Sequence, residues 1–350
     1  MGIEYATAWL MLAALGLYTL LGGADFGAGV WDLLATGPRK RQQRERLAHA
    51  IGPIWEANHV WVIAVVVLLF TCFPRAFAAI MTALHVPVTL VLLGIVARGT
   101  SFVFRTYSPG DDRTQNRWGM VFSIASVATP ILLGVTLGTL ATGTLRWQDG
   151  VYVSGFFAPW LAPFPWAVGV FALSIFAFLA AVYMCAELRT AEAPLRDDFR
   201  RRALLAAIAV GMSAALCWVL ASRGAPELSR GLSGAWWTWP LQIATGLAAS
   251  GAIWSLWTRR YFAARALAVV QVSLIVLGYG AALFPYLVVP DVRIDDSAAP
   301  PRTHALVLAA FGAGAIILIP SLFILYRVFK GERAFRLVDR AGTGGDAAQS

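Results

Sequence analysis

The stretch from Ile51 to Phe70 reads IGPIWEANHVWVIAVVVLLF, and it decides the fold. Its second half is an unbroken apolar run. Its first half carries an acid (Glu56), an amide (Asn58), an imidazole (His59) and two tryptophans (Trp55, Trp61). A helix that takes a carboxyl group toward lipid does so at a cost, and such groups usually mark function.

The same pattern of long apolar blocks fills the chain. Of 350 residues, 59% are apolar and 13% charged, against about 25% charged in soluble domains. This composition indicates an all-α polytopic membrane protein. About 20 apolar residues span a bilayer core as a helix. Nine segments meet that length: 5–35, 50–71, 76–104, 118–141, 164–187, 203–222, 240–257, 264–287 and 304–329. They form a single membrane domain over 1–329, with a first helix bundle in 5–141 and a second half in 164–329. Residues 330–350 read as a disordered cytoplasmic tail, rich in small and polar residues.

The basic residues test the count. Counting flanking positions, 21 Lys and Arg follow segments one, three, five, seven and nine, and six fall at the other segment ends. Only an odd number of crossings yields that alternation, with the N-terminus outside and the C-terminus in the cytoplasm. The net charge of +9 is spread over these short clusters and forms no contiguous nucleic-acid-binding patch. Cys72, Cys185 and Cys217 are scattered in or beside apolar blocks, with no CxxC or CxxCH spacing. They read as small buried hydrophobes rather than metal or haem ligands. The tryptophans of 142–163 and 223–239 read as interfacial anchors.

Depth along the segments brings four ionisable groups together. Asp25 lies about 20 residues into the inward-running first segment. Glu56 and His59 begin the outward-running second, and Arg98 lies near the end of the third. All four fall in one layer on the cytoplasmic side. Glu56 and His59 are three apart and share a helix face, and Asn58 points elsewhere. The layer reads as a proton route or ion site; the plainer reading is a buried ion-pair cluster that only joins helices. His85 falls midway along the third segment, in a hydrogen-bonding or kink role. Its depth differs from that of His59, so the two do not clamp one haem. Asp32 and Arg105 read as solvated, interfacial residues. A transporter reading needs broken helices in two matching halves, and GGADFGAG (Gly22–Gly29) is one candidate interruption.

Four motifs carry a family resemblance. GGADFGAGVWDLL (Gly22–Leu34), IGPIWEANHVWVI (Ile51–Ile63), ARGTSFVFR (Ala97–Arg105) and LFPYLVVP (Leu283–Pro290) resemble, in order, the signatures of subunit II of the cytochrome bd quinol oxidases. The resemblance implies two four-helix bundles plus a peripheral helix. It implies a chain that binds no haem or metal and holds no catalytic residue itself. The implied partner is subunit I, which carries haem b and haem d, oxidises quinol and reduces dioxygen to water in the bacterial inner membrane. A small single-helix subunit, and lipid or quinone between the bundles, are further candidate partners. Asp25, Glu56, Asn58 and Arg98 match the family positions, and the implied role is part of a cytoplasmic proton path. The chain departs from the pattern at Ala57, at His59, where an acid is usual, and at Val103. A purely architectural subunit is the alternative role.

Overall fold

A computed structural model describes residues 2–52, 55–107, 112–148, 150–188 and 190–330. Side chains of residues 51, 106, 107, 112, 190, 326, 329 and 330 are outside the description, as is the expected tail beyond residue 330. In chain order the helices are α1 (Ile3–Leu33), α2 (Lys40–Ile51), α3 (Trp55–Cys72), α4 (Pro74–Ala83), α5 (His85–Tyr107), α6 (Asp112–Leu140) and α7 (Ala158–Leu161). They continue with α8 (Pro163–Glu187), α9 (Ala193–Gly224), α10 (Pro226–Ser233), α11 (Thr238–Trp257), α12 (Tyr261–Leu283), α13 (Ile294–Ser297) and α14 (Pro301–Lys330). Nine of them reach 18 residues, one for each expected segment. Eight are also apolar enough to cross a membrane; α11 has the length but is less apolar. The chain is a multi-pass helical membrane protein.

The segment boundaries shift where proline and polar residues intervene. The expected third segment is two helices. Pro74 starts α4, where its missing N–H costs nothing, and the chain turns at Leu84 before α5. The eighth ends at Leu283, and 284–297 fold as a hairpin and one short helical turn instead. GGADFGAG is not an interruption: α1 runs unbroken from Ile3 to Leu33, and the feature that suggested a transporter is absent. Its glycines serve close packing instead.

The helices assemble as two groups of four. In the first, α1 packs on α3 and α6, and α6 on α5. In the second, α8 packs on α9 and α12, and α11 on α12. The groups join through α1 and α6 against α8, where Gly27 lies against the Phe176 backbone and Trp31 Nε1 donates to the Ala177 carbonyl at 2.8 Å. At the second junction Gly134 of α6 faces Gly169 of α8. The main core fills this central contact, from Tyr18 and Phe26 through Phe176, Leu179 and Val182 to Phe199. Helix α14 stands outside both groups against α1 and α3.

One end of the bundle is the basic one. There α2 lies across the helix ends, tied by Arg39 to Asp198 at 2.6 Å and by Arg46 to Glu192 at 2.7 Å. Arg259 reaches Asp197 at 3.3 Å at the same end. The other end holds two hairpins, β1 (Trp147–Gln148) with β2 (Val151–Tyr152) and β3 (Tyr286–Val288) with β4 (Val292–Arg293). Tyr5 donates to Asp295 at 2.6 Å there, and Val289 N–H to the Leu140 carbonyl at 3.0 Å. Of the expected interfacial tryptophans, Trp236 and Trp239 are exposed, whereas Trp160 is core.

Candidate functional site

Helix α1 sets the frame of the site. Tyr18, Asp25 and Asp32 recur every seven residues, close to two helical turns, so they share one stripe. Gly22 and Gly29 fall between them.

Asp25 and Arg98 meet in the middle of this stripe. The Asp25 carboxylate accepts from Asn58 Nδ2 at 2.6 Å, both groups being buried. Arg98 Nη2 donates to the Asp25 carbonyl at 3.1 Å, and Arg98 Nε donates to Ser126 Oγ at 3.2 Å. The guanidinium lies 4.7 Å from the Phe26 ring centroid and 5.2 Å from that of Phe122. A buried cation needs such partners. Removing it from water costs several kcal/mol, on the order of what hydrogen bonds, a nearby carboxylate and aromatic faces together return. Two features let α6 take part. A side chain at Gly29 would collide with Ser126. Pro130 also has no N–H to give the Ser126 carbonyl four residues earlier.

His59 joins this layer and Glu56 does not. The His59 ring is half-buried, with centroids 5.9 Å from Tyr18, 6.0 Å from Phe26 and 6.0 Å from Trp55. Glu56 is exposed at the first turn of α3. The two residues lie on neighbouring strips of the helix, one turned into the bundle and one out of it. Trp55 and Trp61 pack at the margin of the core. His85 belongs elsewhere: it is the first residue of α5, exposed, with Nδ1 3.0 Å from the Thr82 carbonyl and its ring against Phe156. The split of the third segment moved it from mid-span to the end opposite the basic one. His59 and His85 therefore stand at different ends of the bundle. Among the described residues no three His, Cys, Asp or Glu side chains gather as a metal site.

Sequence reading missed the lower part of the stripe. Asp32 is 3% exposed, not solvated. Arg105 grips it, with Nη1 and Nη2 at 3.2 Å, and Ser123 Oγ donates at 3.1 Å. Arg44 of α2 adds Nε at 3.9 Å from the carboxylate and donates to the Asp32 carbonyl at 3.1 Å. The seven-residue spacing from Asp25 was the available signal, since it places Asp32 on the inward stripe.

The fold and this layer define a class: a multi-helix membrane subunit with a buried acid–arginine layer on the basic side. The family model for cytochrome bd terminal oxidase subunit II matches residues 3–329, and the chain belongs to that family. Subunits of this kind are parts of the bd-type terminal oxidase, an oxidoreductase whose haems lie in the partner subunit, so the chain works in a complex with a subunit I. The chain is 23% identical over 331 residues to the putative cytochrome bd menaquinol oxidase subunit II of Bacillus subtilis, covering 91% of this chain and 93% of that one. It is 28% identical over 180 residues to the cytochrome bd-I ubiquinol oxidase subunit 2 of Escherichia coli, covering 50% of this chain and 47% of that one. The bd oxidase structure from Geobacillus thermodenitrificans shares the fold, with a TM-score of 0.78, 22% identity and coverage of 94% and 99%.

Proposed function

We propose that this chain carries protons from the cytoplasmic side toward the oxygen-reducing centre of its complex, through Asp25, Asn58 and His59, with Arg98 fixing the charge of the layer. The supporting observation is the buried 2.6 Å bond from Asn58 to Asp25 beside a fully buried arginine. A carboxyl group in this position can take and release a proton, and the buried Arg98 cation balances a negative charge in the layer. Oxygen reduction consumes protons; the chemistry at oxygen belongs to haem b and haem d of subunit I, and quinol is the electron donor. Glu56, exposed at the start of the same helix, serves as the acid at the mouth of the route or at the subunit contact.

In this reading residues 1–329 act as one membrane domain in the bacterial inner membrane. Its basic end faces the cytoplasm, its N-terminus lies outside and its C-terminus inside, as the distribution of arginine supports.

The architectural reading has one observation in its favour: Arg98 is well supplied with partners. The test separates the two. In the purified oxidase, Asp25→Asn and Glu56→Gln should retain haem, seen in the visible spectrum, while oxygen consumption slows. Loss of haem and of the complex in both variants would instead make the layer structural.

A further inference from the structure

Two buried polar atoms next to the Asp25 layer have no hydrogen-bond partner among the described residues. They are the Tyr18 hydroxyl and His59 Nδ1. Tyr18 is 2% exposed, and its ring lies 5.9 Å from that of His59, tilted 45°. The rings are neighbours, yet the two polar atoms make no direct bond. The placement of Tyr18 is specific. A side chain at Gly22 would run into the Tyr18 ring at 2.7 Å, so the ring lies where only glycine admits it. Tyr18 stands two turns, about 10 Å, beyond Asp25 on the same stripe. His59 spans the interval, with its ring beside Tyr18 and beside Phe26, the residue after Asp25.

Leaving a buried hydroxyl or ring nitrogen unsatisfied costs about 1–3 kcal/mol each. Two such groups on rings 5.9 Å apart can share one water, which needs two to four polar partners and supplies both a donor and an acceptor. Packing alone does not account for the pair, because phenylalanine and leucine would fill the same space without an orphaned atom.

We infer that Tyr18 and His59 hold a water between them, and that this water is the station beyond Asp25 on the proton route. The inference rests on the proton-path reading above and extends it two helical turns into the membrane. The step is proton transfer alone. The O–H bond of the protonated Asp25 carboxyl breaks as an O–H bond forms on water, directly or through one further water. The held water gives a different hydrogen to His59 Nδ1, and the imidazole releases its Nε2 proton onward. Tyr18 orients the water and is a positioning residue. No electrons move; the net result is one proton moved from Asp25 to the acceptor beyond Nε2. The cycle closes when the imidazole flips from its Nδ1–H form back to the Nε2–H form and Asp25 takes a new proton from the cytoplasmic side.

The experiment uses the whole purified oxidase with a short-chain quinol as donor. Haem content is read from the spectrum, and oxygen consumption is measured in H2O and in D2O. Tyr18→Phe and His59→Leu should keep full haem, turn over several-fold more slowly and show a larger solvent isotope effect. His59→Glu, which restores a group that can both hold the water and pass a proton on, should recover part of the rate. If Tyr18→Phe and His59→Leu match the parent enzyme while Asp25→Asn is slow, the inference is wrong and the proton path stands. If Asp25→Asn is also unimpaired with full haem, the path itself fails and takes the inference with it. Should Tyr18→Phe lose haem, the comparison of His59→Leu with His59→Glu at equal haem content decides: equal rates overturn the inference, and a faster His59→Glu upholds it.

Discussion

Replacing Gly134 with alanine tests the junction that joins the two helix groups. The added Cβ would stand 2.7 Å from Gly169 Cα, 2.7 Å from the Val168 carbonyl oxygen and 3.0 Å from Ala172 Cβ. Two of those three neighbours are backbone, so no side chain can rotate away. Gly169 looks back in the same way, since a Cβ there would meet the Ile131 carbonyl at 2.6 Å. Carbon atoms pack at about 3.5–4.0 Å, so α6 and α8 must part by about 1 Å, and a gap of that size forfeits a quarter to a half of each contact along the seam. Overpacking of this kind costs about 1–3 kcal/mol, and small residues at such crossings are what hold membrane helices together. The assay is thermal unfolding of the purified complex, beside Gly211→Ala. Gly211 sits in α9 with nothing within 4 Å of its Cβ position, so that variant gains about 1 kcal/mol of helix propensity or changes nothing. Gly134→Ala should melt several degrees below Gly211→Ala. Adding Gly169→Ala should cost less than its single effect, because the helices have already separated. Equal melting of Gly134→Ala and Gly211→Ala would refute the packing argument.

Two further outcomes are expected. Asp32→Ala leaves Arg105 and Arg44 without their shared carboxylate and should cost about 3 kcal/mol, the lower end for a broken buried pair because both arginines keep partial access to water; Asp32→Asn should cost less, and unchanged melting of Asp32→Ala would show the cluster to be inert. Arg39→Ala removes a two-point bond to Asp198, 2.7 and 2.6 Å long, that pins α2 to α9. Because Arg39 is part-exposed, the expected loss is about 1 kcal/mol, and the gap from the parent should narrow in high salt.

The long helices were legible because each apolar run is its own signal. Every expected segment overlaps one long helix, and the arginine pattern had already counted them. What the sequence hid depends on neighbours. The third segment reads as one apolar block because Leu84 interrupts hydrophobicity nowhere, and only packing shows that α4 and α5 are separate. His85 was misplaced for that reason alone. Asp25 and Arg98 were legible as a layer because depth follows from counting residues, whereas Asn58, expected to point elsewhere, turns inward onto the Asp25 carboxylate. Glu56 and His59 were not separable by counting: three residues apart they share a broad face, and the direction of the bundle axis divides that face into an outer and an inner strip. Asp32 looked solvated because it ends an apolar run, yet Arg105 and Arg44, distant in sequence, close over it.

Helix α14 differs from every other long helix. Its most apolar 18-residue window, within Pro301–Leu325, buries nothing inside this chain, while its first turns are fastened at one end. There the His304 ring meets Thr7 Oγ1 at 2.7 Å and packs on Phe73, and the Ala299 N–H reaches the Cys72 carbonyl at 2.8 Å just ahead of the helix. Fastened at its foot and clad along its length by whatever surrounds the protein, α14 is a mast stepped on the bundle rather than a stave within it. Its stability as a helix comes from the bilayer, which satisfies no backbone polar group and so enforces the helical form. Its attachment comes from a few polar contacts and from Val307 and Phe311 packed on the core around Leu68 and Phe73, on the far side from the acid–arginine layer. Substitutions along the mast should therefore be felt through lipid and through the rest of the complex, and those at its foot through the chain itself.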